Sequence, residues 1–469
     1  GNTVVAMSQS ESTASQFREQ GGAATMDPSV LRRWVTSRVM TLVGSEKRML
    51  AKRQKEEEKR RKANAVHRVE YFHQLEDGYS QLAAQVLERF STRYKIELQC
   101  HLVHGPSGAN LPEPKLLLEL ASYDSNLIAE HYGLSFPKFK TLPEKSSLES
   151  AARILASLPA DTFTAHVSTV GQAMWDNDST RLNSLMDELG CLSIEEAEAA
   201  REAGSARRKA LKHYSGAMFY YAGEWYWGVD RLYHLEARLQ QLGLDREPGQ
   251  PMIVARPAML SFDRRDNGSL ELEVYPSLRS PYTSIAFDRT LQLAEASGVK
   301  LTTRPVLPMV MRGVPATREK GMYIFLDTAR EARAAGVPYG KFYDPIGNPV
   351  RRAYALYPWA VSKDRGNDFL SAFLSAAFTK GINTNSKAGL RKVVEAAGLS
   401  WSEAQTHLDD NDWESLLEAN RQAMYAEGLW GVPSFRLLDR SGQTLLATWG
   451  QDRLWLVARA IESQLASPP

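Results

Sequence analysis

The chain has 469 residues, 43% of them hydrophobic, which is enough for two or three domains that each bury a core of their own. Its 57 basic and 55 acidic side chains give a formal net charge of only +2, a balance that excludes the strongly basic surface typical of nucleic-acid-binding proteins. No window approaches the roughly 20 apolar residues of a membrane-spanning helix, so we expect neither nucleic acid nor a membrane as a partner.

The first 66 residues precede the first predicted strand. Residues 1–25 are rich in Ser, Gln, Thr and Gly, show no secretory signal pattern, and are predicted to be a disordered tail. Residues 26–66 are predicted to form helices and a charged spacer, with Asp27-Pro28 as the first helix start and mixed charges over 47–62. The first helix has an apolar face that needs something to pack on: Val30, Leu31, Trp34, Val35, Val39, Leu42 and Val43.

The rest of the chain reads as one unit written twice, with a linker between the copies. The first copy, residues 67–243, has a strand, a helix and a strand, then a long helical stretch, a hairpin at Ala222-Gly223 and a last helix. The linker, residues 244–268, is rich in proline, although its residues 252–254 could add an edge strand. The second copy, residues 269–469, repeats the order of the first, with its hairpin at Ser441-Gly442.

This order is that of a thioredoxin fold with an inserted helical subdomain. A strand–helix–strand unit requires a parallel pair, and the hairpin adds antiparallel strands, which gives a mixed sheet flanked by helices. The predicted fold class is therefore α/β, with two tandem thioredoxin-like domains.

The cysteines bear on the compartment and the chemistry. Cys100 and Cys191 lie far apart and form neither a C-x-x-C motif nor a Cys/His cluster. We therefore expect a cytoplasmic protein without a metal site, and a disulfide oxidoreductase is the least favoured function.

Three separated segments of the second copy show a family resemblance. They are Ser280-Pro281-Tyr282 after the first strand, the sequence GLWGVPSF at 428–435, and TWGQDRL at 448–454. Their order resembles DsbA-like proteins, and among these the 2-hydroxychromene-2-carboxylate isomerases and kappa-class glutathione transferases. The first copy resembles the family more faintly, because Asp77-Gly78-Tyr79 stands at the S-P-Y position and Ala217 at the proline. The resemblance implies two DsbA-like domains in tandem, the first of them degenerate.

Ser280 is the predicted catalytic residue. The N-terminus of the helix that follows it favours an anion, and a hydroxyl before the first turn can either cap the helix or donate to that anion. An ordinary Ser-Pro cap would explain the local sequence by itself. The resemblance implies that the anion is the thiolate of glutathione.

The resemblance implies further contacts to glutathione. The counterpart of Pro433 is cis, which would let the N–H and C=O of Val432 pair with glutathione like a strand edge. Asp452 would hold the γ-glutamyl amino group, unless it only caps the last helix, and Gln451 would assist at a carboxylate. Lys320 would point into the site, although a solvated helix lysine is the alternative, since the loop at 309–315 is short and lacks the family's asparagine.

The helical insert offers candidates for a substrate pocket. The loop at 344–349 and the aromatic residues Tyr354, Tyr357 and Trp359 could line a pocket for a small aromatic substrate, or could simply turn and pack.

The resemblance implies a glutathione-dependent isomerase acting on a small aromatic or electrophilic substrate by thiolate addition, rotation and elimination. Two alternatives stay open: a kappa-like transferase, in which the thiolate stays bonded, and a non-catalytic thioredoxin-like interaction protein. The sequence leaves the substrate and the oligomeric state open, a homo-oligomer included.

Overall fold

The computed structural model describes residues 27–106, 114–137, 141–312 and 317–467, so the tail predicted at 1–25 and part of the loop at 309–315 lie outside the described residues. The described chain divides into two compact units. The first unit comprises Leu50–Pro257 and Thr317–Lys320, and the second comprises residues 27–49, 258–312 and 321–467. The N-terminal helix thus groups with the C-terminal half of the chain.

Two helices open the described chain, α1 (Val30–Val43) and α2 (Glu46–Lys62). The helix α1 begins after Ser29, whose hydroxyl accepts a hydrogen bond from the N–H of Arg32, and not at the predicted Asp27 cap. None of the residues of α2 is buried, and Arg53 pairs with Glu224 at 2.6 Å.

The first unit contains a mixed sheet and a helical insert. Its sheet has the order β2-β1-β3-β4, with β1 parallel to β2, antiparallel to β3, and β3 antiparallel to β4. The strands are β1 (Arg68–His73), β2 (Glu97–Leu102), β3 (Met218–Tyr221) and β4 (Glu224–Trp227). The helices are α3 (Gly78–Ala84), α4 (Leu87–Arg93), α5 (Pro114–Ala129), α6 (Lys145–Ala156), α7 (Ala160–Trp175), α8 (Ser179–Leu189), α9 (Ile194–Ala210) and α10 (Leu232–Gln241).

The second unit repeats this strand order as β6-β5-β7-β8, with the same parallel and antiparallel pairs. The strands are β5 (Glu271–Tyr275), β6 (Lys300–Thr303), β7 (Ser434–Leu438) and β8 (Thr444–Trp449). The helices are α11 (Pro281–Ser297), α12 (Arg318–Ala335), α13 (Asn348–Ser362), α14 (Gly366–Phe378), α15 (Lys387–Ala396), α16 (Trp401–Ala404), α17 (Asp412–Ala426) and α18 (Leu454–Ala466). The predicted α/β class is confirmed. No helix of the described chain is long and apolar enough to cross a membrane.

Burial along the central strands shows where each core lies. In β5, the residues from Leu272 to Tyr275 are all buried, and β1 is buried from Val69 to His73. A strand loses its alternation of buried and exposed side chains when both faces of the sheet are covered. Each sheet is therefore covered on both faces of its central strand.

The two units share hydrogen bonds at matching places. The hydroxyl of Tyr79 donates to Asp124 at 2.6 Å, and that of Tyr282 donates to Asp327 at 2.6 Å, with the partners 45 positions apart in both. A buried carboxylate in the central strand of each unit also pairs with an arginine. Glu70 in β1 pairs with Arg207, and Glu273 in β5 pairs with Arg436.

The segment between the units has no strand at 252–254, contrary to one sequence expectation. The N–H groups of Ile253 and Val254 instead donate to the buried carboxylate of Glu236, at 2.9 and 3.0 Å. The start of this segment is therefore fastened to the first unit.

The packing of α1 contradicts the predicted one. Its buried side chains are Arg33 and Ser37, whereas six of the seven residues of its predicted apolar face are exposed, and only Val43 is half-buried. The Arg33 guanidinium donates to the carbonyls of Asp344 and Ile346 at 2.8 and 2.6 Å, and it pairs with the Asp27 carboxylate at 2.7 Å. Hydrogen bonds to the backbone, and not apolar burial, hold this helix in place.

We predict that Tyr282→Phe lowers the free energy of unfolding by about 1–3 kcal/mol, because Asp327 is 1% exposed in its side chain and loses a hydrogen-bond donor there. Tyr79→Phe, the matched change in the first unit, should cost a similar amount. Urea unfolding followed by fluorescence measures both, and a change of less than about 0.5 kcal/mol would contradict a structural role for the pair.

Arg33→Ala is expected to free α1 from the second unit, since two carbonyls and a carboxylate lose their charged donor, at a cost of roughly 2–4 kcal/mol. Limited proteolysis should then cut within 30–45 at least about tenfold faster than in the wild type. Arg38→Ala, on the exposed side of the same helix, is the control and should leave the cleavage rate unchanged.

Candidate functional site

The strand register of the second unit brings three distant segments to one edge of its sheet. Tyr275, the last residue of β5, pairs with Ser434, the first residue of β7, and Ser434 pairs with Trp449, the last residue of β8. The segments 276–280, 432–433 and 450–452 therefore leave the sheet at the same edge. Four of the predicted site residues lie in this edge with Ser280: Val432, Pro433, Gln451 and Asp452.

Ser280 occupies the N-cap of α11. Its hydroxyl oxygen accepts a hydrogen bond from the N–H of Thr283 at 3.1 Å, and Pro281 fills the first helical position. The residue is half-buried, and within the described part of the chain its hydroxyl donates no hydrogen bond. Capping uses only the oxygen of the Ser280 hydroxyl as an acceptor. The hydroxyl hydrogen can therefore still be donated to an anion at the helix N-terminus.

A buried tyrosine fixes the loop that carries Ser280. The hydroxyl of Tyr354 accepts a hydrogen bond from the N–H of Leu278 at 3.1 Å and donates to the carbonyl of Val306 at 2.8 Å. Tyr354, Tyr357 and Trp359 are only 0%, 5% and 6% exposed. The expectation that these aromatics line an open substrate pocket is therefore wrong: they pack in the interior.

The Val432–Pro433 peptide bond is cis, as the resemblance implied. The carbonyl of Pro433 accepts a hydrogen bond from the N–H of Gly450 at 2.8 Å, which joins two of the three segments. Val432 is half-buried, and neither its N–H nor its C=O makes a backbone hydrogen bond to any described residue. Within the described residues its backbone is thus unpaired, at the same edge of the sheet as Ser280.

Gln451 and Asp452 differ in the burial and the hydrogen bonds of their side chains. The amide of Gln451 is 2% exposed, donates to the Glu331 carboxylate at 2.7 Å, and accepts from Arg289 at 3.2 Å. Asp452 is half-buried, with 24% of its side chain exposed and a carboxylate oxygen 3.6 Å from the Arg453 guanidinium. Gln451 is therefore fastened inside the unit, whereas Asp452 borders solvent at the sheet edge.

Of the predicted site residues, Lys320 does not lie at this edge of the second unit. It groups with the first unit, is half-buried, and its N–H donates to the hydroxyl of Thr317 at 3.2 Å. Burial lowers the pKa of its ammonium group. Its proposed role in the site stays a prediction.

An ion pair beside Ser280 was missed by sequence reasoning. Arg279 binds both carboxylate oxygens of Asp344, at 3.2 and 3.1 Å. Burial alone would raise the pKa of Asp344, but the charge and hydrogen bonds of Arg279 hold it below its usual value. Because α1 binds the backbone of Asp344 through Arg33 and Ser37, the helix supports the residue next to Ser280. Arg279 could have been noticed from its place beside the S-P-Y segment, but its partner could not.

The matching edge of the first unit carries different side chains. Asp77, at the place of Ser280, accepts hydrogen bonds from the N–H groups of Tyr79 and Ser80 and from the Ser80 hydroxyl. A Cβ on Gly216, at the place of Val432, would lie 2.5 Å from the Cβ of Gln74 and 3.2 Å from an Asp77 oxygen. A side chain at position 216 would therefore collide with Gln74.

A cleft of about 520 Å³ lies away from the predicted site in the second unit. It runs between α11, α14 and α15, and its polar side chains include Asp288, Ser371, Lys380 and Lys392. None of the predicted site residues lines it. The hydroxyl of Ser371 donates to Asp288 at 2.5 Å, so part of its polar lining is already paired.

Comparison with known proteins identifies the fold of the C-terminal half. Residues 271–462 match the family model of the DSBA-like thioredoxin domain, which begins at β5 and ends within α18. The second unit therefore contains a DSBA-like thioredoxin domain. A comparison with curated protein sequences finds no match.

Several solved structures share low similarity with the chain. A 2-hydroxychromene-2-carboxylate isomerase is 20% identical over 41% of this chain and 95% of its own, with a TM-score of 0.35. The cytosolic disulfide reductase DsbM from Pseudomonas aeruginosa is 18% identical over 42% of this chain and 98% of its own, with a TM-score of 0.33. ScsC from Proteus mirabilis is 10% identical over 62% of this chain and 96% of its own, with a TM-score of 0.26. Similarity at this level says nothing about function.

Asp77 predicts a pH dependence of stability in the first unit. Burial raises the pKa of its carboxyl from 3.8 to about 7, so the folded state favours the protonated form. The stability it contributes is complete below about pH 4 and is lost as the pH rises through 7, a change of roughly 4 kcal/mol at 1.36 kcal/mol per pKa unit. Asp77→Asn should therefore match the wild type near pH 4 and exceed it at pH 8.

Urea unfolding of the full chain across this pH range measures the difference. Asp161→Asn, which removes an exposed carboxylate from the first turn of α7, is the matched control and should follow the wild-type curve. An Asp77→Asn curve parallel to that of the wild type would show that Asp77 does not change its charge over this range.

Proposed function

We propose that the second unit binds glutathione at its sheet edge and uses Ser280 to stabilise the thiolate, as a glutathione-dependent isomerase of the 2-hydroxychromene-2-carboxylate isomerase type. The observation that carries this proposal is the Ser280 hydroxyl at the start of α11, which has a hydrogen to donate and lies at the same edge as the unpaired backbone of Val432. The matched domain at 271–462 has no cysteine, so the sulfur must come from a ligand.

The residues at the edge fit the chemical groups of glutathione. Val432 offers an N–H and a C=O, which is what the backbone of a cysteinyl residue pairs with in strand addition. Asp452 offers a partly exposed carboxylate for an ammonium group. Gln451 is engaged with Glu331 and Arg289, so its proposed contact to a glutathione carboxylate would require it to exchange these partners.

Glutathione supplies, when bound, a sulfur nucleophile that adds to an electron-poor double bond and leaves again after rotation about the resulting single bond. Ser280 donates a hydrogen bond to the sulfur, and the N-terminus of α11 adds a favourable dipole, so both lower the pKa of the thiol. Asp344 and Tyr354 keep the Ser280 loop in place through Arg279 and Leu278. The proton released from the thiol returns to the substrate carbon or the solvent, and no oxidant is needed.

The first unit is proposed to be a degenerate copy of the same domain, in tandem with the active one. The shared strand order and the matching tyrosine–aspartate hydrogen bonds support a common fold. Its edge, which carries Asp77 and Gly216, favours a non-catalytic interaction role for this half of the chain. Use of glutathione also fits a cytoplasmic location, because that pool keeps cytosolic thiols reduced.

Isothermal titration of glutathione into the full-length protein tests the proposal. We expect the wild type and Ser280→Thr, which keeps the hydroxyl, to bind glutathione and to show thiolate absorbance near neutral pH. Ser280→Ala should lose the thiolate signal and bind at least about tenfold more weakly, as expected for a lost charged hydrogen bond. Ser284→Ala is the matched control, since its hydroxyl lies in the same first turn and donates to the Pro281 carbonyl.

The outcomes separate the candidate functions. No binding by the wild type would refute both enzyme functions and leave the interaction protein. With binding, turnover of a 2-hydroxychromene-2-carboxylate without loss of glutathione identifies an isomerase. Consumption of glutathione with an electrophile identifies the kappa-like transferase instead.

A further inference from the structure

The turn that carries Ser280 also carries a positive charge. The N–H of Ser280 donates to the carbonyl of Ser277 at 3.2 Å, so Arg279 lies within a tight turn that ends at Ser280. The side chain of Arg279 reaches Asp344, which belongs to the helical insert between α12 and α13. The guanidinium is therefore held between the Ser280 turn and the insert.

The Arg279 guanidinium uses only part of its capacity to donate hydrogen bonds. Its Nε and Nη2 atoms donate to the two carboxylate oxygens of Asp344 at 3.2 and 3.1 Å. The hydrogens of Nη1 and the second hydrogen of Nη2 reach no acceptor among the residues that the structure describes. The Arg279 side chain is 33% exposed, whereas that of Asp344 is 10% exposed. A second planar anion can therefore approach the Nη1 side of the guanidinium.

The first unit joins its own loop to its own insert by an ion pair of the opposite polarity. Glu76, at the place of Arg279, lies 3.8 Å from the guanidinium of Arg201 in α9. A bridge between loop and insert thus forms with either charge on the loop. The choice matters for a ligand, because an anion brought to the loop would be repelled by Glu76 and attracted by Arg279. The cation stands in the unit that holds Ser280.

The residues that are proposed to bind glutathione leave the second reactant without a contact. Ser280, Val432 and Asp452 are all assigned to glutathione, and all three come from segments that leave the sheet. The anchor of Arg279 comes from the insert instead. An anionic group at the guanidinium is therefore expected to belong to the substrate and not to glutathione.

We propose that Arg279 is a specificity-determining residue, which binds a carboxylate of the electrophilic substrate while Asp344 holds the guanidinium in place. The carboxylate accepts hydrogen bonds from Nη1 and Nη2 in the planar geometry that arginine provides and lysine does not. Its assignment to the substrate rests on the proposed function, whereas the carboxylate contact itself does not require glutathione. The substrate class is thereby narrowed to electron-poor double bonds that carry a carboxylate.

The rate of glutathione addition to two matched electrophiles tests the proposal in the full-length protein. Benzoylacrylate and benzoylacrylamide both have an electron-poor double bond, but only the first carries a carboxylate. We expect Arg279→Gln to lower the acid-to-amide ratio of kcat/KM at least about tenfold relative to the wild type, by raising KM for the acid. The ratio is the readout because a change in the activation of the thiolate affects both electrophiles equally.

Asp344→Asn separates ligand binding from the structural bridge. It breaks the ion pair as Arg279→Gln does, but it keeps the guanidinium, and its amide oxygen can still accept from the N–H of Ile346 as the carboxylate does at 3.0 Å. We expect an acid-to-amide ratio at least equal to that of the wild type, since the counter-charge is gone. Arg391→Gln, which removes an exposed arginine paired with Glu395, is the matched control and should keep the wild-type ratio.

Equilibrium binding of saturated analogues tests the contact without any reaction. Benzoylpropionate and benzoylpropionamide lack the double bond, so neither glutathione nor Cys100 and Cys191 can add to them. By isothermal titration we expect the acid to bind the wild type at least about tenfold more tightly than the amide, with or without glutathione, and Arg279→Gln to bind both equally. If Arg279→Gln does not fold by circular dichroism, Arg279→Gln/Asp344→Asn replaces it, because the double variant leaves no buried carboxylate unpaired.

The outcomes distinguish this proposal from the proposed function. A wild type that binds the acid no more tightly than the amide would overturn the proposal, and so would an Asp344→Asn ratio as low as that of Arg279→Gln. Acid binding that depends on Arg279 in a protein that binds no glutathione would support the carboxylate site and refute the proposed function. An Arg279→Gln chain that binds glutathione tenfold more weakly, with an unchanged ratio, would place a carboxylate of glutathione at Arg279 and overturn the assignment to the substrate.

Discussion

The pairing of β5 with a neighbour on each side is the constraint on which the proposed site depends. No local feature of the sequence near Ser280 brings Val432 or Asp452 close to it. Their proximity follows from the register in which the end of β5 meets the start of β7, and the start of β7 meets the end of β8. A slip of one residue would turn every side chain of β7 to the other face of the sheet.

A buried carboxylate helps to hold that register. Glu273, in the middle of β5, is 2% exposed and pairs with Arg436 on β7 at 3.1 Å, and it also forms an ion pair with Arg304 just beyond β6. Removal of one member of such a group would leave a buried charge without compensation, which is far more costly than the pair is stabilising. The register that assembles the candidate site is thus tied to charges on three adjacent strand segments.

The order of the secondary structure could be predicted because it depends on local patterns. The strand–helix–strand order, the Ser280-Pro281 helix start and the glycine turns are encoded in neighbouring residues, and the structure has them where expected. The direction in which α1 faces could not be predicted, because an apolar stripe marks a side of a helix without saying what lies against it. The side-chain hydrogen bonds of Gln451 could not be predicted for a related reason, since its partners Glu331 and Arg289 are far away in the sequence.

The two sheet edges differ in the residue at the N-terminus of the helix that follows the first strand, Asp77 in the first unit and Ser280 in the second. A helix N-terminus favours a negative charge, and at α3 this place is already occupied by the carboxyl of Asp77, whose pKa burial raises to about 7. At α11 the same place holds the neutral Ser280, so the N-terminus can stabilise a charge brought by a ligand. A thiolate approaching Asp77 would meet like charge above neutral pH. The physical difference between a carboxylate and a hydroxyl at this one position is therefore what the proposed restriction of glutathione to the second unit depends on.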